Sequence, residues 1–391
     1  MSNNSETYSS SPLGSSKPKR SGSYIGTILF IVHLALTMSL SVALIIAYIT
    51  PYIAPEHWGA LTIVGHFPQI LYILLLACLL IWLIVRRWKL AAAVAVVLIP
   101  GLFHITQFFN ISFTRMEPAD AQPKDAFTVV TYNLRGFRND NGVRVVEKFG
   151  DYISNSNPFI KDHRAADVIC LQEFALDAEN LEYIDSLMSI QYKNVYFNDV
   201  HESENVVMRT YSRYPIVASG SIANTGRGTS QWVDVVMSSG KDTIRIFNNH
   251  FYTMGISPED SDDISDGTIL ADGGNMKSIV ERVAHNSSVR VDHVDTLRKV
   301  IAVTPHRHIV CGDLNDTPGS YVYRQMTKDL EDIFTEKGNG GFGYTYRPMW
   351  GWLRIDYVLY SEGFEPLNYY SDSDIELSDH LPVAAQFKLL K

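Results

Sequence analysis

Cysteine is scarce in this sequence of 391 residues, which contains only Cys78, Cys170 and Cys311. Three scattered cysteines exclude a disulfide framework and a thiolate metal site. All three lie in apolar segments, so we interpret them as small buried hydrophobic side chains. A bridge between Cys170 and Cys311 stays open, because pairing cannot be read from spacing.

Acidic residues are nearly absent from the first 115 residues. Only Glu6 and Glu56 occur there, against seven basic residues, so this segment carries +5 and the remaining 276 residues carry −14. A segment with this negative charge lacks the basic surface from which general nucleic-acid binders gain affinity. A nuclease whose affinity lies locally in its site is still compatible with this charge.

Charged side chains are missing from residues 24–48, a run long enough to cross a hydrocarbon layer of ~30 Å. Two further apolar runs, 61–85 and 90–113, complete a predicted transmembrane region at 24–113 with about three helices. Pro100 and Gly101 interrupt the third run, and the alternative is two spans with the third segment in the membrane interface. A cleaved signal peptide is a poorer reading of the first run, which exceeds a signal core of roughly 7–15 residues.

The basic residues near these runs predict the orientation. They precede the first span and separate the second from the third, at Lys17, Lys19, Arg20, Arg86, Arg87 and Lys89. By the positive-inside rule both positions are cytoplasmic. The sequence therefore predicts a disordered cytoplasmic tail at 1–23, a linker at 114–126 and an extracytoplasmic domain at 127–391. The membrane would be the inner or plasma membrane, and the domain periplasmic if the source is Gram-negative.

Strand-like and helical segments alternate through residues 127–391. β-branched, aromatic and apolar runs predict strands that include 127–133, 167–173, 308–311 and 384–389, and helical patterns occur near 143–154 and 276–303. This mixture favours an α/β sandwich. Residues 255–274 are rich in Ser, Asp and Gly and predict a solvated loop. A calcium loop is a poor alternative, since the EF-hand order of ligands is absent.

Polar side chains follow the predicted strands where these end. They are Asn133, Glu173, Asn248 with His250, Asp313 with Asn315, and Asp379 with His380. Each one alone has a structural explanation as a turn former, a solvated group or a hydrogen-bonded histidine. Asp356 differs, because it interrupts an apolar strand and would need a cation or an imidazole beside it if buried. Chance placement of the whole set is far less plausible than chance placement of any one member.

The ordered segments TYN, LQE, NxH, GDLND, IDY and SDHLP resemble the endonuclease/exonuclease/phosphatase superfamily over about residues 127–389. The resemblance implies a four-layer α/β sandwich, in which two mixed β-sheets pack face to face with helices outside, here preceded by the transmembrane region. It also implies a phosphoester hydrolase whose site lies at one end between the sheets.

The resemblance also implies roles for individual residues. Glu173 is the expected principal metal ligand, with Asn133 and Asp379 near the same ion. Asp313 would orient or deprotonate the attacking water, and with Asn315 it would hold the phosphate or a second ion. His250 and His380 would contact the non-bridging oxygens, and Asp356 would orient His380. No match for an acid that orients His250 is evident.

Oxygen donors of this kind suit Mg²⁺ or Mn²⁺, and one or two ions are compatible with the set. The expected function is a membrane-anchored phosphoesterase acting on a phosphodiester or phosphomonoester. A phospholipid head group or a small envelope phosphoester is the expected substrate. The alternative is a nuclease acting on DNA or RNA outside the cytoplasm, and a remote one is a silent receptor for a phosphorylated ligand.

Overall fold

The computed structural model describes residues 24–112, 123, 125–139, 141–154, 166–175, 178–197, 206–222, 228–268, 273–338 and 340–391. The predicted tail at 1–23 and most of the linker at 114–126 lie outside the described residues. The strands are β1 Ala126–Asn133, β2 Val168–Ala175, β3 Asn194–Phe197, β4 Val206–Ser212, β5 Ile216–Ile222, β6 Gly228–Val236, β7 Thr243–Phe251, β8 Arg307–Asp313, β9 Glu331–Asp332, β10 Asp356–Tyr360, β11 Phe364–Ser371 and β12 Val383–Leu389.

Helices occur in the N-terminal region and around the strands. They are α1 Tyr24–Ile49, α2 Pro55–Trp58, α3 Pro68–Ile84, α4 Trp88–Leu98, α5 Ile105–Phe108, α6 Val146–Ser154, α7 Ala178–Gln191, α8 Pro258–Asp266, α9 Gly273–Ala302, α10 Tyr321–Met326, α11 Ile333–Lys337 and α12 Pro348–Gly351. Short 3₁₀ helices cover Thr50–Tyr52, Gly59–His66 and Ile99–Phe103.

Two six-stranded mixed sheets form the domain after residue 125. Their strand orders are β11-β12-β1-β2-β4-β3 and β5-β6-β7-β8-β10-β9. In each sheet the described pairs are antiparallel except one, β1 with β2 and β7 with β8. The described part of the chain therefore has the mixed sheets that the resemblance implied.

Apolar side chains fill the space between the sheets and cover their outer faces. Val129 and Cys170 from one sheet pack with Ile246 and Cys311 from the other. Helices α6 and α7 cover the outer face of the first sheet, and α9 and α10 cover that of the second. The expected four-layer sandwich is confirmed. The three cysteines are buried and unbridged.

The segment at 255–274 was predicted to be a loop, and this prediction is wrong for residues 258–266, which form α8. Ser257 Oγ accepts a hydrogen bond from the Asp260 backbone, and the Asp260 carboxylate accepts one from the Ser257 backbone. This capping box satisfies helix N–H groups without any apolar periodicity. The Ser and Asp content that suggested a loop belongs instead to a helix start.

The N-terminal region contains one helix, α1, that is long and apolar enough to cross a membrane. The pair Gly59–His66 and α3 passes the same test only as one span bent by 68°. Helix α4, continued by the 3₁₀ helix to Phe103, is shorter than a crossing requires. The three-span arrangement therefore stays a prediction.

The N-terminal region packs directly on the sandwich. The Asn110 backbone N–H donates to Gly341 O at 2.9 Å, Arg354 Nη2 donates to Gln107 O at 2.8 Å, and Gln69 Nε2 donates to Trp352 O at 3.2 Å. On the N-terminal side these contacts come from the first turn of α3, from α5 and from the residues after α5. The end of the sandwich that carries the predicted site therefore adjoins the N-terminal region.

Candidate active site

The predicted polar residues converge at one end of the two sheets because of strand register. The parallel pair β7–β8 sets His250 beside Asp313, and the antiparallel pair β8–β10 sets Asp313 beside Asp356. Asn133 and Glu173 come from the other sheet, at the ends of β1 and β2. A cavity of about 270 Å³ opens between these strand ends.

Asn133 joins the two sheets across this cavity. Its Nδ2 donates to Glu173 Oε1 and to Asp313 Oδ2, both at 3.0 Å, and its Oδ1 accepts from the Arg135 backbone at 3.0 Å. The amide thus holds two carboxylates in fixed positions. In this arrangement the amide nitrogen, rather than the oxygen that was predicted to bind metal, faces the carboxylates.

Asp313 lies at the centre of the site and is fully buried. The imidazole Nε2 atoms of His250 and His380 lie 3.9 and 3.8 Å from its Oδ2. Burial and the charge of Asp356 raise the pKa of Asp313 to about 6, although both imidazoles act in the opposite direction. A carboxyl with this pKa can accept a proton from water near neutral pH.

His380 pairs with the buried Asp356. Its Nδ1 lies 2.9 Å from Asp356 Oδ2, so Asp356 has the imidazole that its burial requires. Burial would lower the pKa of His380, but the charges of Asp356 and Asp313 outweigh it and raise the pKa to about 10. His380 is therefore a cation at neutral pH, with Nε2 turned toward Asp313.

Glu173 faces His250 at the mouth of the cavity. Its Oε1 lies 3.4 Å from His250 Nε2. Burial would raise the pKa of Glu173, but the hydrogen bonds and charge of His250, together with the Asn133 amide, lower it to about 2. Glu173 also has a φ of 47°, which is uncommon for a residue with a side chain and occurs often at functional sites.

Asn315 is held by the protein itself. Its Nδ2 donates to Phe251 O at 3.0 Å and to Asp313 Oδ2 at 3.1 Å, and its Oδ1 accepts from the Met254 backbone at 3.3 Å. Asn315 therefore anchors the loop after β8 to the end of β7. Its predicted role as a phosphate or metal ligand stays a prediction.

Gly312, the residue before Asp313, allows β8 to lie very close to β7. Its φ is 129°, and a Cβ there would meet the Asn249 carbonyl oxygen at 1.9 Å. Only glycine fits so close to the neighbouring strand.

Three carboxylates contribute to the lining of the cavity. Glu173, Asp313 and Asp379 line it, and Asp379 Oδ2 lies 3.3 Å from Arg135 Nε. Burial also raises the pKa of Asp379, with the charge of Glu173 adding to the effect. Hard oxygen donors that repel one another fit a divalent cation.

Among the described residues, Asp313, Asp356 and His380 form a buried group whose geometry could hold a metal ion. Within this group, however, Asp356 Oδ2 already lies at hydrogen-bond distance from His380 Nδ1. Glu173 and Asp379 do not belong to the group, so their role as metal ligands stays a prediction.

Several residues of the cavity were missed by sequence reasoning. Arg135 lies in the turn after β1, where the alternation of side chains along a strand no longer applies, so that pattern gave no signal for it. The Tyr346 ring lies at 59° to the His380 ring, with ring centroids 5.0 Å apart. An apolar wall completes the cavity, formed by Met254, Ile256, Met349, Leu353 and Ile355. Ile355 directly precedes Asp356, but no pattern in the sequence marks the other four as lining residues.

The N-terminal region also reaches the loop after β8. His66 Nδ1 lies 3.3 Å from Asp316 Oδ1, and Arg290 Nε lies 3.1 Å from Asp316 Oδ2. His66, Arg290 and Asp316 are all buried. Asp316, the residue after Asn315, is thus held by two contacts, and one of them comes from the N-terminal region.

Residues 130–380 match the family model described as the Endonuclease/Exonuclease/phosphatase family. Residues 27–108 match a model described as a domain of unknown function. The search of curated proteins gave no match.

Solved structures with a similar fold include members of that family. An endonuclease/exonuclease/phosphatase from Beutenbergia cavernae DSM 12333 is 17% identical, with 68% of this chain and 72% of that chain covered and a TM-score of 0.48. One from Bacteroides vulgatus is 16% identical, with coverages of 68% and 100% and a TM-score of 0.47. The human Nocturnin catalytic domain is 16% identical, with coverages of 68% and 94% and a TM-score of 0.45.

Proposed function

Because this chain belongs to the endonuclease/exonuclease/phosphatase family, we propose that it is a membrane-anchored phosphoesterase that depends on a divalent metal, Mg²⁺ or Mn²⁺. One observation carries the proposal. Three carboxylates and two imidazoles, from Glu173, Asp313, Asp379, His250 and His380, line a single cavity at the end of both sheets.

The chain's own residues divide the work of phosphoester hydrolysis. Asp313 takes the proton of the attacking water, and Asn133 keeps its carboxylate in place. His380, held cationic by Asp356, donates to a non-bridging oxygen and offsets the charge that develops during in-line displacement. His250, whose Nε2 lies 3.9 Å from Asp313 Oδ2, would contact the non-bridging oxygens together with His380. A divalent cation bound by Glu173 and Asp379 would supply Lewis-acid stabilisation of the phosphate.

Support for the membrane anchor comes from charge and contacts together. Helix α1 has 26 residues and contains no Asp, Glu, Lys or Arg. The turn with Arg86 and Arg87 lies between α3 and α4, whereas Gln69 and Asn110, near the other ends of these elements, contact the sandwich. This is the arrangement expected if the basic turn is cytoplasmic and the catalytic domain lies on the outer side.

The apolar wall of the cavity favours a substrate with an apolar or small organic group next to its phosphate. Arg135 is the one Lys or Arg among the described lining residues, which is few for a site that tracks a polyanion. We therefore propose a phospholipid head group or a small envelope phosphoester as the substrate class.

A nuclease is the second candidate, and one observation favours it. A groove of about 890 Å³ adjoins the cavity at Thr253 and Ile256, and Arg282 and His285 lie along it. A nucleotide strand would have room there. A receptor without turnover has no such supporting observation.

The proposal is tested with the full chain in nanodiscs. Hydrolysis of bis(p-nitrophenyl) phosphate, sphingomyelin, phosphatidylinositol phosphates, DNA and RNA is measured with and without EDTA. EDTA and Glu173→Gln should each lower turnover at least ~100-fold, whereas the surface control Glu147→Gln should not. Undiminished turnover by Glu173→Gln would refute the assignment. Metal-dependent binding with no turnover of any substrate would favour the receptor.

A further inference from the structure

A second cavity, of about 280 Å³, lies between the N-terminal helices and the sandwich. Tyr48, Tyr72 and Phe108 form its wall on the N-terminal side, and Gly319, Tyr323 and Arg324 form the wall on the catalytic side. None of its lining residues lines the catalytic cavity. It is therefore a separate site, and the proposed phosphoesterase chemistry does not use it.

The cavity lies where three apolar helical elements end. It is lined by the last turn of α1, the first turns of α3 and the segment after α4, which all lie at the end that contacts the sandwich. Tyrosines at such a level are typical of the membrane–water interface. In the proposed orientation this level corresponds to the outer leaflet.

The rim of the cavity is open on an apolar side. Ile73, Leu76 and Ile105 line it and are each more than 40% exposed. Exposed apolar side chains also occur along the rest of α1 and α3, where Leu29, Leu80 and Ile84 are more than half exposed. Side chains exposed in this pattern would be in contact with hydrocarbon in a bilayer, so an acyl chain has direct access to the opening.

Arg324 places a positive charge in the wall of this cavity that the sandwich forms. The Arg324 guanidinium lies 3.8 Å from the ring centroid of Tyr52. In the described part of the chain no carboxylate lies within 4.0 Å of it. A guanidinium without an acidic partner, beside an apolar cavity at interface depth, is suited to bind a phosphate.

We propose that this cavity binds a phospholipid of the surrounding bilayer, with one acyl chain inside the cavity and the phosphate beside Arg324. The inference rests on the proposed membrane location and adds a lipid site separate from the catalytic one. Pro318 and Gly319, which line the cavity, belong to the loop that follows Asp313, the last residue of β8. The bound lipid therefore packs against the loop next to the proposed catalytic carboxylate.

Photocrosslinking in nanodiscs tests the lipid site. The full chain is reconstituted with a phosphatidylglycerol that carries a diazirine near the middle of one acyl chain, and labelled peptides are mapped by mass spectrometry. Labelling should concentrate on the peptide around Tyr323 and on the one around Phe108. Ile73→Trp, which fills the rim, should lower this labelling roughly tenfold, while Ile28→Trp on the exposed face of α1 should leave it unchanged.

The phosphate contact is tested by native mass spectrometry after detergent extraction. Arg324→Gln should lose the retained phospholipid, whereas Arg298→Gln should keep it, because Arg298 is paired with Asp329 and does not line the cavity. Uniform labelling along α1, with no effect of Ile73→Trp or Arg324→Gln, would overturn the lipid site. Release of the chain from membranes by carbonate would instead refute the membrane location. Phosphodiesterase activity is measured separately, because its loss would bear on the proposed function and not on the lipid site.

Discussion

His66 of the N-terminal region and Asp316 of the catalytic loop form a buried contact, with Nδ1 and Oδ1 3.3 Å apart. Thr50 of the same region lies near the loop as well, with Oγ1 3.4 Å from Gly319 O. Asp316 follows Asn315, whose side-chain amide donates a hydrogen bond to the Asp313 carboxylate. The N-terminal region thus supports the loop that follows Asp313, the carboxylate proposed to take the proton of the attacking water.

Replacing His66 should therefore impair catalysis from outside the cavity. His66→Ala removes a partner of Asp316 and should lower kcat about tenfold with little change in KM, because substrate contacts are untouched. The free energy of unfolding should fall by roughly 1–3 kcal/mol. His66→Gln, which can still donate a hydrogen bond, should restore part of kcat. The exposed His57→Ala is the control, and equal kcat in all variants would show that the contact does not position the loop.

Asp356→Asn should separate the charge of Asp356 from its shape. In the wild-type protein the Asp356 carboxylate lies 2.9 Å from His380 Nδ1. The amide of the variant keeps a hydrogen-bonding group there but removes the charge that favours the imidazolium. We expect kcat to fall by about 10²–10⁴-fold. The exposed Asp374→Asn serves as the control in the same turnover assay. Wild-type turnover by Asp356→Asn would contradict the role of the pair.

Gly312→Ala should disrupt the β7–β8 pair. The new Cβ would meet the Asn249 carbonyl oxygen at 1.9 Å, at a φ of 129°. We expect a loss of roughly 3 kcal/mol or more in the free energy of unfolding, together with loss of turnover. Gly240→Ala is the matched control, because φ is also positive but no atom lies within 4 Å, so only about 1 kcal/mol should be lost. Similar thermal unfolding of the two variants would contradict the close approach.

Stability should fall at acidic pH because of His293. Its Nε2 lies 2.7 Å from Ser230 Oγ, and its ring stacks on Phe251. Burial, with a contribution from the charge of His250, lowers the pKa of His293 to about 3. The unfolded chain therefore binds a proton from about pH 6.5 downward that the folded protein does not bind, so stability is lost as pH falls from 6.5 toward 3.

The loss attributable to His293 should reach roughly 3 kcal/mol by pH 4. The midpoint of thermal unfolding, followed from pH 7 to pH 4, measures it. His293→Gln should flatten this dependence, and the exposed His285→Gln should retain it. The same slope for His293→Gln and the wild-type protein would exclude His293 as the cause.

The sequence by itself determined the fold class and the strand ends that carry polar groups. Alternation of side chains along a strand and the position of a polar residue at its end are local properties, so Glu173 and Asp313 were identifiable without coordinates. Asp379 was predicted in the same way, but it lies in the loop before β12 and not at the end of a strand. The burial of Asp356 required a cation or an imidazole beside it, and the structure places His380 there. Local patterns failed at α8, where a capping box initiates a helix that has no apolar periodicity.

Only the tertiary structure decided which distant residues complete the site. The apolar wall of the cavity, with Met254 and Leu353, comes from segments that share no sequence pattern. The same holds for the contact between His66 and Asp316, because the packing of an apolar helical region on an α/β sandwich depends on the shapes of both surfaces. The sequence predicted two separate regions, and the structure joins them at the loop that carries Asp313.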